Sequence, residues 1–354
     1  MLKRLSIWAM ALAVMIGVLE LTVRVDDWAQ FGVPISAPAI DLEELSVRDS
    51  VGMHARAGTQ FRQFRINTLG FRGPEIGDAA SRGTLIITAG ASETFGLYED
   101  QGKEWPRQLQ DSLVACGADV TVLNAAFAGM SMPTVRQDFE RRLARFEPAY
   151  MVYYPTPMQY MSGDPTPAEP NAVAPPPLPA LRSRALPRFR DAFKRATPTP
   201  VLDLARRVTT HRTRSARGIE VRDAVDTTRL DAFERDLRVL IGAYRRGGAT
   251  PVLMMHRNRF ADTTSADARL YLTAWERFYP EYTGTAIVRF DAQAAHRVAR
   301  VGSDSGVLVV DPLEALRGIG SSAFSDFAHF TDSGAAAVGG SAARAMSDRL
   351  CRRR

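Results

Sequence analysis

An α/β fold with a central parallel sheet of about five strands, layered between helices and preceded by one membrane-spanning helix, is what this sequence predicts. Three observations carry that expectation. Short apolar, β-branched runs recur at 84–89, 120–123, 150–154, 251–255 and 307–310, each the length of a buried strand. Stretches of helical period lie between them with short connections, and strand, helix, strand in that order means βαβ units with right-handed crossovers. Ahead of them all, Lys3 and Arg4 precede an apolar run from Leu5 to Val23 broken only by Ser6 and Glu20, close to the ~20 residues that cross a bilayer.

That run makes residues 1–24 a signal anchor. The positive-inside rule puts the amino terminus in the cytoplasm and everything after Arg24 in the periplasm. This describes a single-pass inner-membrane protein that meets lipid through its first helix. A cleaved signal peptide is the rival reading, but the triplets Ala9-Met10-Ala11 and Ala11-Leu12-Ala13 lie inside the apolar run rather than after it, which favours retention. The 354 residues, 45% hydrophobic and 24% charged, suffice for a substantial core in one large domain plus the anchor. A formal charge of +6 is modest for that size and gives no argument for a nucleic-acid partner.

Residues 25–83 read as an irregular extension. Within it, Asn67-Thr68-Leu69-Gly70-Phe71-Arg72-Gly73-Pro74-Glu75 is rich in turn residues, and Arg72 suits a structural ion pair better than an anionic substrate. The first sheet strand, Leu85 to Ala89, breaks off at Gly90-Ala91-Ser92. Ser92 then lies past a strand's carboxyl end, the edge where open α/β sheets bind ligands. A plain capping role for Ser92 or Thr94 is the competing use. A helix follows from Glu104, with Pro106 in its first turn, Trp105, Leu109, Leu113 and Cys116 along one face, and Gly117 to stop it.

Val120 to Leu123 form the second strand and run into Asn124-Ala125-Ala126-Phe127-Ala128-Gly129, a small-residue loop that lets a backbone N–H approach a ligand. Ser131-Met132-Pro133 starts a helix carrying Val135, Phe139, Leu143 and Phe146, and Tyr150 to Tyr154 is the third strand. Prolines at 165, 167, 170, 175, 176, 177, 179, 187, 198 and 200 then mark an insertion, 162–220, expected to be partly extended polyproline. It is also strongly basic, which suits a solvated face or anionic lipid headgroups beside the anchor.

Regular structure resumes at Asp226, with Leu230, Phe233, Leu237, Leu240, Ile241 and Tyr244 on one helix face and Gly247-Gly248 ending it. Pro251 to Met255 is the fourth strand and ends at His256, either a pocket residue or a hydrogen-bonded structural one. A helix near 266–278, a fifth strand at Val307 to Val310 and a closing helix capped by Asp332 or Ser333 complete the expected elements.

Just before that closing helix stands Asp326-Phe327-Ala328-His329. A carboxylate three positions from an imidazole can orient the ring and stabilise its cation. A serine turn near the front, Asn124 and Gly129 in the middle, and Asp-x-x-His before the last helix resemble, in that order, the SGNH hydrolases, also called GDSL-type esterases. The resemblance spans roughly residues 65 to 350, and the Asn-x-x-Gly-Phe-Arg-Gly stretch at 67–73 is similar to one found ahead of the catalytic strand in membrane-anchored members.

The resemblance implies a three-layer, flavodoxin-like domain over 84–350 and a Ser-His-Asp triad: Ser92 as nucleophile, His329 as base, Asp326 as its orienting partner. The backbone N–H groups of Ser92 and Gly129 would hold the oxyanion. It implies no cofactor, and an ester substrate, foremost an O-acetyl group on a carbohydrate or envelope polymer. Acyl transfer to sugar with the same triad is a close variant; a glycan- or partner-binding module without catalysis is the alternative. The chain departs from the family pattern twice. Ala91 stands where an Asp is usual. Tyr154-Pro155-Thr156-Pro157-Met158-Gln159 replaces the Gly-x-Asn-Asp motif, leaving Thr156 or Gln159 to substitute for the missing amide; losing one oxyanion donor costs roughly a hundred- to a thousandfold in rate.

First and last helices of a flavodoxin-like sheet commonly share a face, so Cys116 and Cys351, the only two cysteines, are either bonded or two separate buried thiols. The five histidines, at 54, 211, 256, 296 and 329, show no short-spaced pairing, so no metal site is expected, and 90–96 lacks the Lys of a phosphate-binding loop.

Overall fold

The computed structural model describes residues 2–49, 51–76, 83–161 and 182–351. Helix α1 (Leu2–Phe31) runs past Arg24, and its segment Ser6–Phe31 is long and apolar enough to cross a membrane. Two antiparallel hairpins follow, β1 (Ser46–Asp49) with β2 (Gly52–Ala55) and β3 (Gln60–Phe61) with β4 (Phe64–Arg65). The main sheet comprises β5 (Thr84–Ala89), β6 (Val120–Asn124), β7 (Tyr150–Tyr153), β8 (Thr250–Met254) and β9 (Leu308–Val310). These five strands are parallel, in the order β6-β5-β7-β8-β9. The α/β architecture and the five-stranded parallel sheet are as the sequence predicts.

The strand order places the site. The chain starts at β5, steps outward to β6, then crosses to β7 on the other side, so the strand order reverses beside the carboxyl end of β5. A crevice at such a switch point is where ligands settle in open α/β sheets.

Both sheet faces are covered, which explains why the strands read as continuous apolar runs rather than as alternating ones. On one face Ile86, Val152, Val252 and Val310 pack with α3 (Trp105–Ala115) and α12 (Asp332–Leu350). On the other, Ile87, Leu123, Met151 and Leu253 meet α4 (Met132–Asp138), α8 (Thr227–Arg246) and α10 (Gly284–Ser305). The remaining helices are α2 (Ser92–Phe95), α5 (Met158–Met161), α6 (Ala185–Ala196), α7 (Thr199–Arg217), α9 (Ala266–Glu276) and α11 (Leu313–Ile319).

Three features differ from, or go beyond, the sequence reading. The Pro/Arg-rich stretch is not extended where it is described: it forms α6 and α7. Pro200 sits in the first turn of α7 and Pro187 in the first turn of α6, where a missing N–H removes no helical bond; residues 162–181 lie outside the described ones. Helix α10 has no counterpart in the sequence reading, because its inward face mixes Ile287, Phe290 and Val298 with Asp291, Ala294 and Ala295 and so carries a diluted apolar period. The two cysteines are joined, with Cα atoms 5.5 Å apart, fastening the end of α3 to the end of α12.

Candidate active site

Ser92 opens α2 directly after β5, and the turn that presents it is built by close approach. A Cβ on Gly90 would stand 2.4 Å from Thr94 Oγ1 and 2.7 Å from the Tyr154 carbonyl oxygen, so only glycine fits there. Ala91 is buried. The turn is braced from behind. Asn124 Nδ2 donates to the Thr94 carbonyl at 2.8 Å, and the buried Arg72 guanidinium donates to the carbonyls of Phe95 and Gly96. Arg72 also lies over the rings of Phe64 and Phe95, 5.0 and 4.9 Å from their centroids, and 3.8 Å from Glu104. Arg72 thus props the Ser92 turn from behind and has a structural role.

Asp326 and His329 meet in a tight turn rather than on a helix. The turn is closed by a bridge between Phe324 and Phe330 and by Ser325 N–H donating to the His329 carbonyl at 2.8 Å. Asp326 Oδ1 accepts from the N–H groups of Ala328 and His329, both at 2.9 Å, an Asx-type arrangement that pins the carboxylate. His329 Nδ1 faces both oxygens of that carboxylate, at 3.0 and 2.8 Å, while Nε2 is buried without a protein partner. Burial opposes charge on this ring, yet the Asp326 hydrogen bond and the carboxylate of Glu93 hold its pKa above the ordinary imidazole value. Burial likewise opposes charge on Asp326, and the bond to His329 keeps its pKa below the usual carboxylate range.

The serine segment and the histidine turn are neighbours. The Tyr98 ring packs on His329 with centroids 5.4 Å apart, and Asp100 N–H donates to Asp332 Oδ1 at 2.9 Å. Ser92 Oγ itself donates to Glu93 Oε2 at 3.0 Å. Gly129, with φ +86°, forms the exposed left-handed turn beyond β6, where an added Cβ would meet only the Met53 side chain, at 3.9 Å.

Of Thr156 and Gln159, Gln159 has its side chain engaged on both ends. Gln159 Oε1 accepts from Thr156 N–H at 3.0 Å and from the Tyr153 hydroxyl, and Nε2 donates to the Met130 carbonyl at 3.0 Å. Its amide ties the loop after β7 to the turn bearing Gly129. Thr156 is buried.

Behind Ser92 runs a buried polar chain that the sequence reading did not assemble. Glu93 Oε1 stands 3.6 Å from His256 Nε2, and His256 Nδ1 stands 2.6 Å from Asp291 Oδ1. Asp291 also accepts from the Tyr160 hydroxyl and from Asn258 Nδ2. Burial opposes charge on His256, but Asp291 and Glu93 lift its pKa to about 9. Against the same burial, the two histidines hold Glu93 below the usual carboxylate range, and His256 does the same for Asp291. Of these residues only His256 was a candidate from sequence, as a hydrogen-bonded group at a strand end. Asp291 had no signal of its own, because it lies inside the unanticipated α10. Among the described residues no cluster of His, Cys, Asp or Glu is arranged to hold a metal.

No family profile matches the sequence, and no curated protein matches it. Solved structures do. A lipase/acylhydrolase from Enterococcus faecalis superposes over 77% of this chain and 100% of its own at 15% identity, with a TM-score of 0.45. An acetylxylan esterase from Geobacillus stearothermophilus covers 75% and 93% at 14% identity and 0.43. A GDSL-like lipase from Bacteroides thetaiotaomicron covers 77% and 95% at 10% identity and 0.41.

Proposed function

We propose that this chain is a serine esterase of SGNH type, held at the inner membrane by α1 with its domain in the periplasm. Its substrate is an O-acyl ester, foremost O-acetyl, on a carbohydrate or envelope polymer. The observation that supports the reading is the Asp326–His329 pair, whose Nε2 has no protein partner, in a turn that packs against Tyr98 of the segment following Ser92.

In this mechanism Ser92 Oγ turns from Glu93 to His329 Nε2 and attacks the ester carbonyl as the ring takes its proton. The N–H groups of Ser92 and Gly129 hold the oxyanion, with no side-chain amide to help them. His329 then protonates the departing alcohol, water resolves the acyl-serine by the reverse steps, and Asp326 stabilises the imidazolium throughout. Sugar hydroxyl in place of water would give acyl transfer from the same intermediate, which an acceptor-dependent assay separates from hydrolysis.

The rival reading, a glycan- or partner-binding module, draws on the engaged hydroxyl of Ser92 and the missing amide. A fluorophosphonate probe decides between them. Labelling of the intact protein that vanishes in Ser92→Ala and in His329→Ala is expected; no labelling at high probe concentration leaves the binding module.

A further inference from the structure

Helices α6 and α7 are amphipathic in an inverted sense: their polar faces are fastened to the protein and their apolar faces look outward. The amino end of α6 is capped from α1, where the Glu20 carboxylate accepts from Ser183 Oγ at 2.8 Å and from the N–H groups of Arg184 and Ala185 at 3.1 Å. Arg184 and Arg188, one turn apart, pair with Asp27 and Asp26 of α1 at 3.4 and 2.9 Å. Asp191, on that same side, pairs with Arg62 at 3.3 Å. In α7, Thr210 is buried and Arg214, one turn on, bonds Glu276 of α9 at 3.1 Å.

Half a turn away from these contacts, Leu186, Phe189 and Phe193 repeat at i, i+3, i+7, and so do Val201, Leu204 and Val208, a spacing that puts each trio on one face. All six are exposed, Phe189 by 74% and Phe193 by 69%. Six apolar side chains on the outer faces of two consecutive helices form a patch that a soluble surface does not normally leave bare.

We infer that this patch is seated in the membrane interface, with α6 and α7 lying on the anionic leaflet beside the point where α1 emerges. Three observations select lipid over a protein partner. The clamp on α1 falls at Glu20 to Asp27, directly where the apolar run of α1 ends, which fixes the start of α6 at headgroup depth. The apolar surface is continuous in kind with the exposed Leu21, Val25 and Trp28 of α1, and an aromatic at that height is typical of interfacial anchoring. Finally, residues 182–217 hold eleven Lys and Arg against two Asp, and the exposed Arg190 and Arg212 flank the two stripes, the pattern of an interfacial helix that favours anionic headgroups.

The inference rests on α1 being a membrane anchor, and the experiment separates the two. Cys116 and Cys351 are bonded to each other, so an introduced cysteine is the sole free thiol. The full chain carrying Phe189→Cys, Leu204→Cys, Val239→Cys or Leu12→Cys is labelled with an environment-sensitive fluorophore and reconstituted in phosphatidylethanolamine–phosphatidylglycerol vesicles. Nitroxide-bearing lipids serve as quencher. Blue-shifted, quenched emission is expected at 189 and 204 as well as at 12, with position 239, on the exposed side of α8, unaffected. Replacing phosphatidylglycerol with phosphatidylcholine should weaken quenching at 189 and 204 and leave 12 unchanged. Quenching at 12 alone overturns the proposal and keeps the anchor; no quenching at any position overturns both. A shift at 189 that needs an added protein assigns the patch to a partner and also overturns it.

Discussion

Replacing Asp326 with Asn tests the proposed chemistry with little disturbance to the fold. The Asn oxygen can still accept from the N–H groups of Ala328 and His329, so the turn survives. What changes is the partner of His329 Nδ1. A carboxylate at 2.8 Å requires Nδ1 to carry the proton and leaves Nε2 free to accept one; an amide N–H in that place reverses the tautomer. The charge-assisted bond contributes about 1.5–3 kcal/mol, or roughly ten- to a hundredfold in the stability of the imidazolium. Adding the inverted tautomer brings the expected loss in kcat to about three to four orders of magnitude.

The pH profile supplies a second signature. His329 must be neutral to act as base, and Asp326 raises its pKa, so wild-type kcat/KM falls on acidification through a value above the ordinary imidazole one. The variant's acid limb should move to lower pH. Hydrolysis of a chromogenic acetyl ester, followed by initial rates from pH 5 to 9, reads both effects. A loss below about tenfold with an unmoved acid limb would refute the assignment of His329 as base and Asp326 as its partner.

Two further expectations concern stability. His256 has a folded pKa of about 9 against an unfolded value near 6.5, so its contribution, on the order of 3 kcal/mol, is fully present below pH 6.5 and drains away as pH rises through 9; urea midpoints should drop accordingly between pH 7 and 10, and an equal profile in His256→Asn would contradict the buried ion chain. Removing the Cys116–Cys351 bond, which closes a separation of 235 residues, costs up to about 5 kcal/mol on the chain-entropy estimate; the double Ala variant should unfold at markedly lower urea than the oxidised protein and match its reduced form, and an unshifted midpoint would show that the bond constrains nothing.

The sheet was legible because helices cover both of its faces, which writes the burial of its strands into the sequence as short apolar runs. Ser92, Asp326 and His329 could be singled out as candidates for a different reason: a hydroxyl just past a strand end and a carboxylate three positions from an imidazole are patterns visible in the sequence itself. Asp291 was not, since a single carboxylate on an amphipathic helix looks the same whether it meets water or a buried imidazole 35 positions away in sequence. The insertion misled in its own way. Proline content argued against helix, and only the placing of Pro187 and Pro200 within first turns reconciles the two. Nor does residue type alone reveal the docking of Arg184 and Arg188 on α1, because a paired arginine and a solvated one are spelled alike.

The position of Arg72 bears on how the domain can be separated from helix α1. A boundary drawn where the sheet begins, at Thr84, would amputate the guanidinium that holds the carbonyls of Phe95 and Gly96 and expose the Phe95 ring stacked against it. The serine turn would then lose its buttress while the sheet beneath it stayed whole. A version lacking α1 that keeps this turn intact must therefore begin soon after Phe31, so that both hairpins travel with the sheet they support.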